Sequence, residues 1–169
     1  ATRSFTNELE LAAGTASALE AVSSVAEGLP LAVGAVTVNA GSSLDLLPAA
    51  DSDPDRAFLS LGDLVVRGDG TVTVAPEGMA AIAGDTWTFT PNAVLTLSGV
   101  LTLPTAVTIV VDGPIPAGRM NLVDFRGATI SNLDEVNFVL VGGDATDRVT
   151  LRNGWLYTTG SQGTFMMLR

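Results

Sequence analysis

The strongest constraint on this chain is a two-residue period in short runs of Val, Thr and Leu, each run cut off by Gly, Asn or Asp. Residues 35–38, 71–74, 86–89, 94–97 and 100–103 alternate or nearly alternate. In a pleated strand every second side chain points to the same face, so each run can bury one face and wet the other. Val and Thr suit that half-buried surface. The runs are about four to seven residues long, a strand length rather than a helix length. Between them stand turn formers: Asn39-Ala40-Gly41, Arg67-Gly68-Asp69-Gly70, Pro76-Glu77-Gly78, Ala83-Gly84-Asp85, Asp112-Gly113-Pro114, Gly142-Gly143-Asp144 and Asn153-Gly154.

Internal similarity separates the all-β architectures. Residues 34–46, 70–78 and 94–103 can be laid on one another as strand, small-residue corner, strand, and residues 61–74 form the clearest unit. Corners of one or two small residues suit a coil that turns sharply and pairs in parallel with the next coil. The expected fold is therefore all-β, a right-handed parallel β-solenoid. At roughly 20 residues per coil it would make about eight coils, stacked over about 40 Å. Two stretches break the pattern. Thr15 to Glu27 carries Ala16, Leu19, Val22 and Ala26 near helical spacing, before a Gly28-Leu29-Pro30 stop. It fits either a short capping helix or two further strands. Residues 48–55 are polar and Pro-containing, a loop leaving the coil. The expected organisation is an N-terminal strand with a possible cap over 1–29 and the solenoid over 30–169, one continuous domain.

Composition narrows function mostly by exclusion. Hydrophobic residues at 47% against 15% charged, with a mean hydropathy of +0.41, give the chain enough apolar surface to fold. The absence of Cys and His, and of any Lys among the eight cations, removes thiolate chemistry, the commonest general base, and Schiff-base or P-loop lysines. Ser and Thr abound but have no obvious base, so no enzyme and no cofactor are expected. A net charge of -10 argues against nucleic acid as a partner, and no run is apolar enough for membrane insertion.

Residues 34–46 (GAVTVNAGSSLDL) and 64–74 (LVVRGDGTVTV) resemble the autotransporter-associated β-strand repeats of bacterial surface proteins. So does the succession LTLSGVLTL, PAGRMNLVDF, FVLVGG and RVTLRNGWLYTTG between Leu95 and Gly160, which is similar to the last turns of an autotransporter-like passenger. The resemblance implies an extracellular, cell-surface protein. The repeats here are irregular, and no membrane-anchoring β-barrel is expected within residues 1–169, which leaves secretion route and anchoring open.

Four sets of residues are candidates for function. Asp51, Asp53 and Asp55 alternate in one loop, as oxygen ligands for Ca²⁺ would. A hand-like calcium loop needs Gly at its sixth position, however, where Arg56 stands, and Asp63 near the twelfth does not fit the count; a solvated loop is the plainer reading. Asp144 and Asp147, beside Arg148, are paired carboxylates of the kind a degenerate polysaccharide-processing enzyme would use, or a local Asp–Arg turn. Arg119 and Arg126 flank MNLVDF, as anion or glycan ligands or as solvent-facing strand positions beside Asp124; Trp87, Trp155 and Tyr157 are scattered in sequence. The termini form the last set. Phe5, Leu9 and Leu11 alternate with polar residues, and Phe165, Met166, Met167 and Leu168 are apolar. A stacked coil has two open edges, and Lys, the usual guard, is absent. Unlike ends that fit each other propagate head to tail. The leading expectation is thus a homopolymeric surface filament joined through these terminal residues. The alternative is an adhesin whose partners are cell-surface or host glycans, met through exposed Thr, Asn and aromatic side chains.

Overall fold

The computed structural model describes residues 4–5, 8–21, 30–144 and 146–160, with side chains from Glu8 onward. The chain winds as a parallel β-solenoid around three faces. The first coil contributes β1 (Ser4–Phe5), β2 (Leu9–Leu11) and β3 (Ala16–Glu20), and the second β4 (Leu31–Val33), β5 (Val36–Asn39) and β6 (Ser43–Leu47). The third contributes β7 (Leu59–Leu61), β8 (Leu64–Arg67) and β9 (Gly70–Pro76). Next come β10 (Met79–Ile82), β11 (Thr86–Phe89) and β12 (Ala93–Thr102), then β13 (Ala106–Val111) and β14 (Gly118–Thr129). β15 (Asn137–Val141) and an antiparallel hairpin of β16 (Arg148–Arg152) and β17 (Trp155–Gly160) follow.

One face is a six-stranded parallel sheet in the order β15-β13-β11-β8-β5-β2. The second stacks β3, β6, β9, the first half of β12 and the first half of β14. The third stacks β1, β4, β7, β10 and the second halves of β12 and β14. The second coil leaves the column between the second and third faces, through residues 48–58. Later strands bend over the same corner without a break, as β12 does at Gly99.

Alternation turns directly into ladders. Leu9, Val36, Leu64, Trp87, Ile109 and Leu140 lie one above another, coil by coil. Val72, Leu95, Val123, Leu156 and Leu151 form a second ladder. Interior members such as Leu64, Trp87, Leu95 and Ile109 are at most 1% exposed, whereas the end members Leu9 and Leu140 are only half-buried. Each fully buried aliphatic or aromatic side chain stabilises the column by roughly 1.5–3 kcal/mol.

One expectation needs correction, and one open alternative is decided over part of its length. The coils are longer and fewer than eight: Val36 lies under Leu64, 28 residues on, and Thr86 under Thr108, 22 residues on, and the column has about five coils. Ala16–Glu20 is a strand paired with β6, not the start of a capping helix. Its Ala and Leu spacing satisfied both periods over so short a span, and backbone pairing with the second coil decides the outcome. Residues 22–29 lie outside the described residues. Strands on either side of position 30 pair with one another, β1 with β4, β2 with β5 and β3 with β6.

Candidate functional site

Two regions differ from the repeating wall of the column. The first is its pair of rims. At the N-terminal rim β1, β2 and β3 each pair on one side only among the described residues. Phe5 lies in β1, opposite Val33. Leu11 points into the core at 3% exposure, and Leu9 packs against it half-buried. At the other rim β15 pairs only with β13 among the described residues. Its inward side chains, Phe138 and Leu140, are half-covered, and its outward Val139 and Val141 are 44% and 51% exposed. Phe138 nevertheless reaches inward, with ring centroids 6.2 Å from Trp87 and 6.1 Å from Phe125. Phe165, Met166, Met167 and Leu168 lie outside the described residues.

The second region is the outer surface of β14, β17 and β16. The β17 strand pairs antiparallel with β14, and β16 antiparallel with β17, across a two-residue turn in which Asn153 and Gly154 have φ of 52° and 75°. A turn with positive φ at both central residues matches the twist of a hairpin, and Asn-Gly is its preferred sequence. Inward, Leu156 and Thr158 of β17 are buried and Val149 and Leu151 of β16 pack on the core. The opposite parity turns Trp155, Tyr157 and Thr159 outward, together with Arg148, Thr150 and Arg152.

Pairing then sets β14 beside them. Arg119 is opposite Thr159, Asn121 opposite Tyr157 and Asp124 opposite Trp155, with a bulge at Leu122 that keeps both Leu122 and Val123 inside. The Arg119 guanidinium lies 4.0 Å over the Tyr157 ring, and that of Arg126 lies 4.7 Å over Trp155. Arg119 Nε donates to Asn121 Oδ1 at 2.8 Å. Arg126 grips Asp124 with two bonds of 2.9 Å, from Nε to Oδ1 and from Nη2 to Oδ2. These side-chain hydrogen bonds hold the Asp124 carboxyl below its ordinary pKa and push Arg126 above its own. Half of the chain's eight cations thus gather on one face.

The other candidates resolve differently. Trp87 is a core residue at 0% exposure, its Nε1 donating to Gly84 O at 3.0 Å. Trp155 and Tyr157, by contrast, are not scattered but share one surface. Asp53 accepts the backbone N–H of Asp55 at 2.9 Å and pairs with Arg56 at 3.5 Å. Among the described residues no group of three or more His, Cys, Asp or Glu gathers where a metal ion could be held, so Asp51, Asp53 and Asp55 are not brought together as a Ca²⁺ site. Asp147 Oδ2 accepts the Asp144 backbone N–H at 2.6 Å and the Asp147 N–H returns to Asp144 O at 2.9 Å, which makes this pair a tight turn. Among the described residues no helix is long and apolar enough to cross a membrane. No family model, curated protein or solved structure matches this chain.

Proposed function

We propose that this chain is a structural, non-catalytic element of a bacterial cell-surface assembly, a rigid β-column that joins its own copies head to tail outside the cell. One observation carries the reading: the sense of the strands at the two rims. Because β17 is antiparallel to β14 and β16 antiparallel to β17, β16 runs in the same direction as β14. The hairpin therefore restores the coil direction at the rim instead of ending it with a reversed strand. A second copy could then continue the two faces of six strands, with its β2 on β15 and its β1 on the end of β14, while β16, the seventh strand of the remaining face, stands one strand beyond them. Parallel pairing would satisfy backbone groups that both rims leave open among the described residues.

Side chains support the same joint. The half-buried Leu140 at one rim and Leu9 at the other are the two ends of a single ladder, so stacking extends that ladder across the joint. The likeness to autotransporter-associated repeats belongs to this reading and supplies its extracellular setting.

Negative-stain micrographs of the purified protein at neutral pH test it. The wild type should form uniform unbranched filaments. Leu9→Lys and Leu140→Lys each place a charge inside one rim, and each alone should stop growth. An equal mixture should stop at dimers, since each variant keeps one working rim. Filaments from either variant alone would refute the joint.

A further inference from the structure

We propose that the outer surface of β14, β17 and β16 is a binding site for oligosaccharides that carry carboxylates, such as uronate units. The proposal does not rest on head-to-tail assembly: β16 is itself a rim strand, but the side chains invoked here face outward from the column.

Charge comes first. In a chain of net charge -10, four arginines and one aspartate share this face. A local positive field on an acidic body selects anions and disfavours densely charged ones, which the remaining surface repels. Preorganisation comes second. An arginine in solvent loses rotamer freedom when it grips a ligand, and here two already rest over rings. Arg119 spends its Nε on Asn121, which leaves its two terminal nitrogens as a fork that can donate to a carboxylate. Arg152, opposite Trp155, makes no ion pair or hydrogen bond among the described residues and adds a second unspent cation.

The rest of the surface decides the class of anion. Asn121 and Thr150 lie on either side of Tyr157, supplying neutral donors and acceptors between the cations. A sugar acid offers what this mixture rewards: hydroxyls, apolar C–H faces and one carboxylate per ring. A nucleic acid strand would reward free ring faces for base stacking and a denser set of cations. Here each ring has one face covered by a guanidinium, and the Asp124 carboxylate, 2.9 Å from Arg126, stands inside the surface and repels a phosphate chain.

Titration calorimetry of the full chain with tri-galacturonate, its methyl ester and a single-stranded oligonucleotide tests the site. Tri-galacturonate should bind, more weakly as salt rises, while the uncharged ester and the oligonucleotide should not. Arg119→Gln should cost roughly tenfold in affinity, the loss of one charge-assisted fork. Tyr157→Leu, which removes the ring beneath the Arg119 guanidinium, should weaken binding in the same direction. Arg67→Gln, on another face, should bind as wild type, and thermal unfolding of each variant checks that it folds. Equal binding of the ester, tighter binding of the oligonucleotide, no binding of tri-galacturonate, or indifference to Arg119→Gln would each overturn the proposal. None of these results depends on whether the rims join.

Discussion

Gly84 sits directly over Gly62: a Cβ at position 84 would lie 2.1 Å from the Gly62 carbonyl carbon and from Asp63 N. Gly62 stands in turn over Gly34, where a Cβ would come within 2.7 Å of the carbonyl carbon and oxygen. The corner between the third face and the six-stranded face is therefore a stack of bare backbones. It is what allows the coils to close to hydrogen-bonding distance, as in Gly62 N–H to Gly34 O at 3.0 Å.

Gly84→Ala should consequently be among the costliest single-methyl changes in the chain. The obstacle is backbone, which cannot rotate away, so the loss should reach about 3 kcal/mol, the upper end of overpacking penalties. For a domain of this size that is roughly 6–12 °C in Tm. Gly127→Ala, whose Cβ would come no nearer than 3.4 Å to any neighbour, Leu97 O being the first, should cost far less. Calorimetric melting of the two variants checks the contrast, and equal Tm values would show that the corner is not held as described.

Thr158 predicts the opposite sign. Its side chain is wholly buried between Met120 and Val149, and its Oγ1 has no hydrogen-bond partner among the described residues. A buried hydroxyl without a partner costs about 1–3 kcal/mol against a methyl of the same shape. Thr158→Val should therefore raise the unfolding midpoint in denaturant without changing its slope. A lower midpoint would mean that the hydroxyl is satisfied in solution.

Asp124 gives the pH dependence. Hydrogen bonding from Arg126 lowers its pKa in the folded state, so the pair's contribution is complete above the ordinary aspartate pKa. It is lost as pH falls through the depressed folded value. Arg126→Gln removes the cause. In that variant the Asp124 carboxyl, followed by NMR, should titrate higher than in wild type, and the stability gap between the two proteins should close in acid. A carboxyl that titrates identically in both would show that the ion pair does not persist in water.

The strands were legible because burial of one face leaves a trace at every second residue: Val36 and Val38, Val72 and Val74, and Trp87 and Phe89 are all inward, as their alternation predicts. Coil length was not, because the excursion through residues 48–58 lengthens a coil without any change in the strands it joins. Ala16–Glu20 was ambiguous because five residues hold too few apolar positions to separate a period of two from one of 3.6. The surface of β14 and β17 was half-legible. Trp155 and Tyr157, two residues apart in a strand, must share a face, and Asn153-Gly154 marks the hairpin that carries them. Nothing in the local sequence brings Arg119 to Tyr157, some 38 residues on; that needs the antiparallel return onto β14.

Cryo-EM of the assembled protein measures the central claim most directly, through the axial rise per subunit. Each molecule contributes six strands to one continuous face. At roughly 4.8 Å per strand, coaxial joining of the rims predicts a rise of about 29 Å, with β15 of one copy paired in parallel with β2 of the next. A filament whose rise departs clearly from that spacing, a lateral or two-fold contact between columns, or a protein that stays monomeric at every concentration would contradict the account.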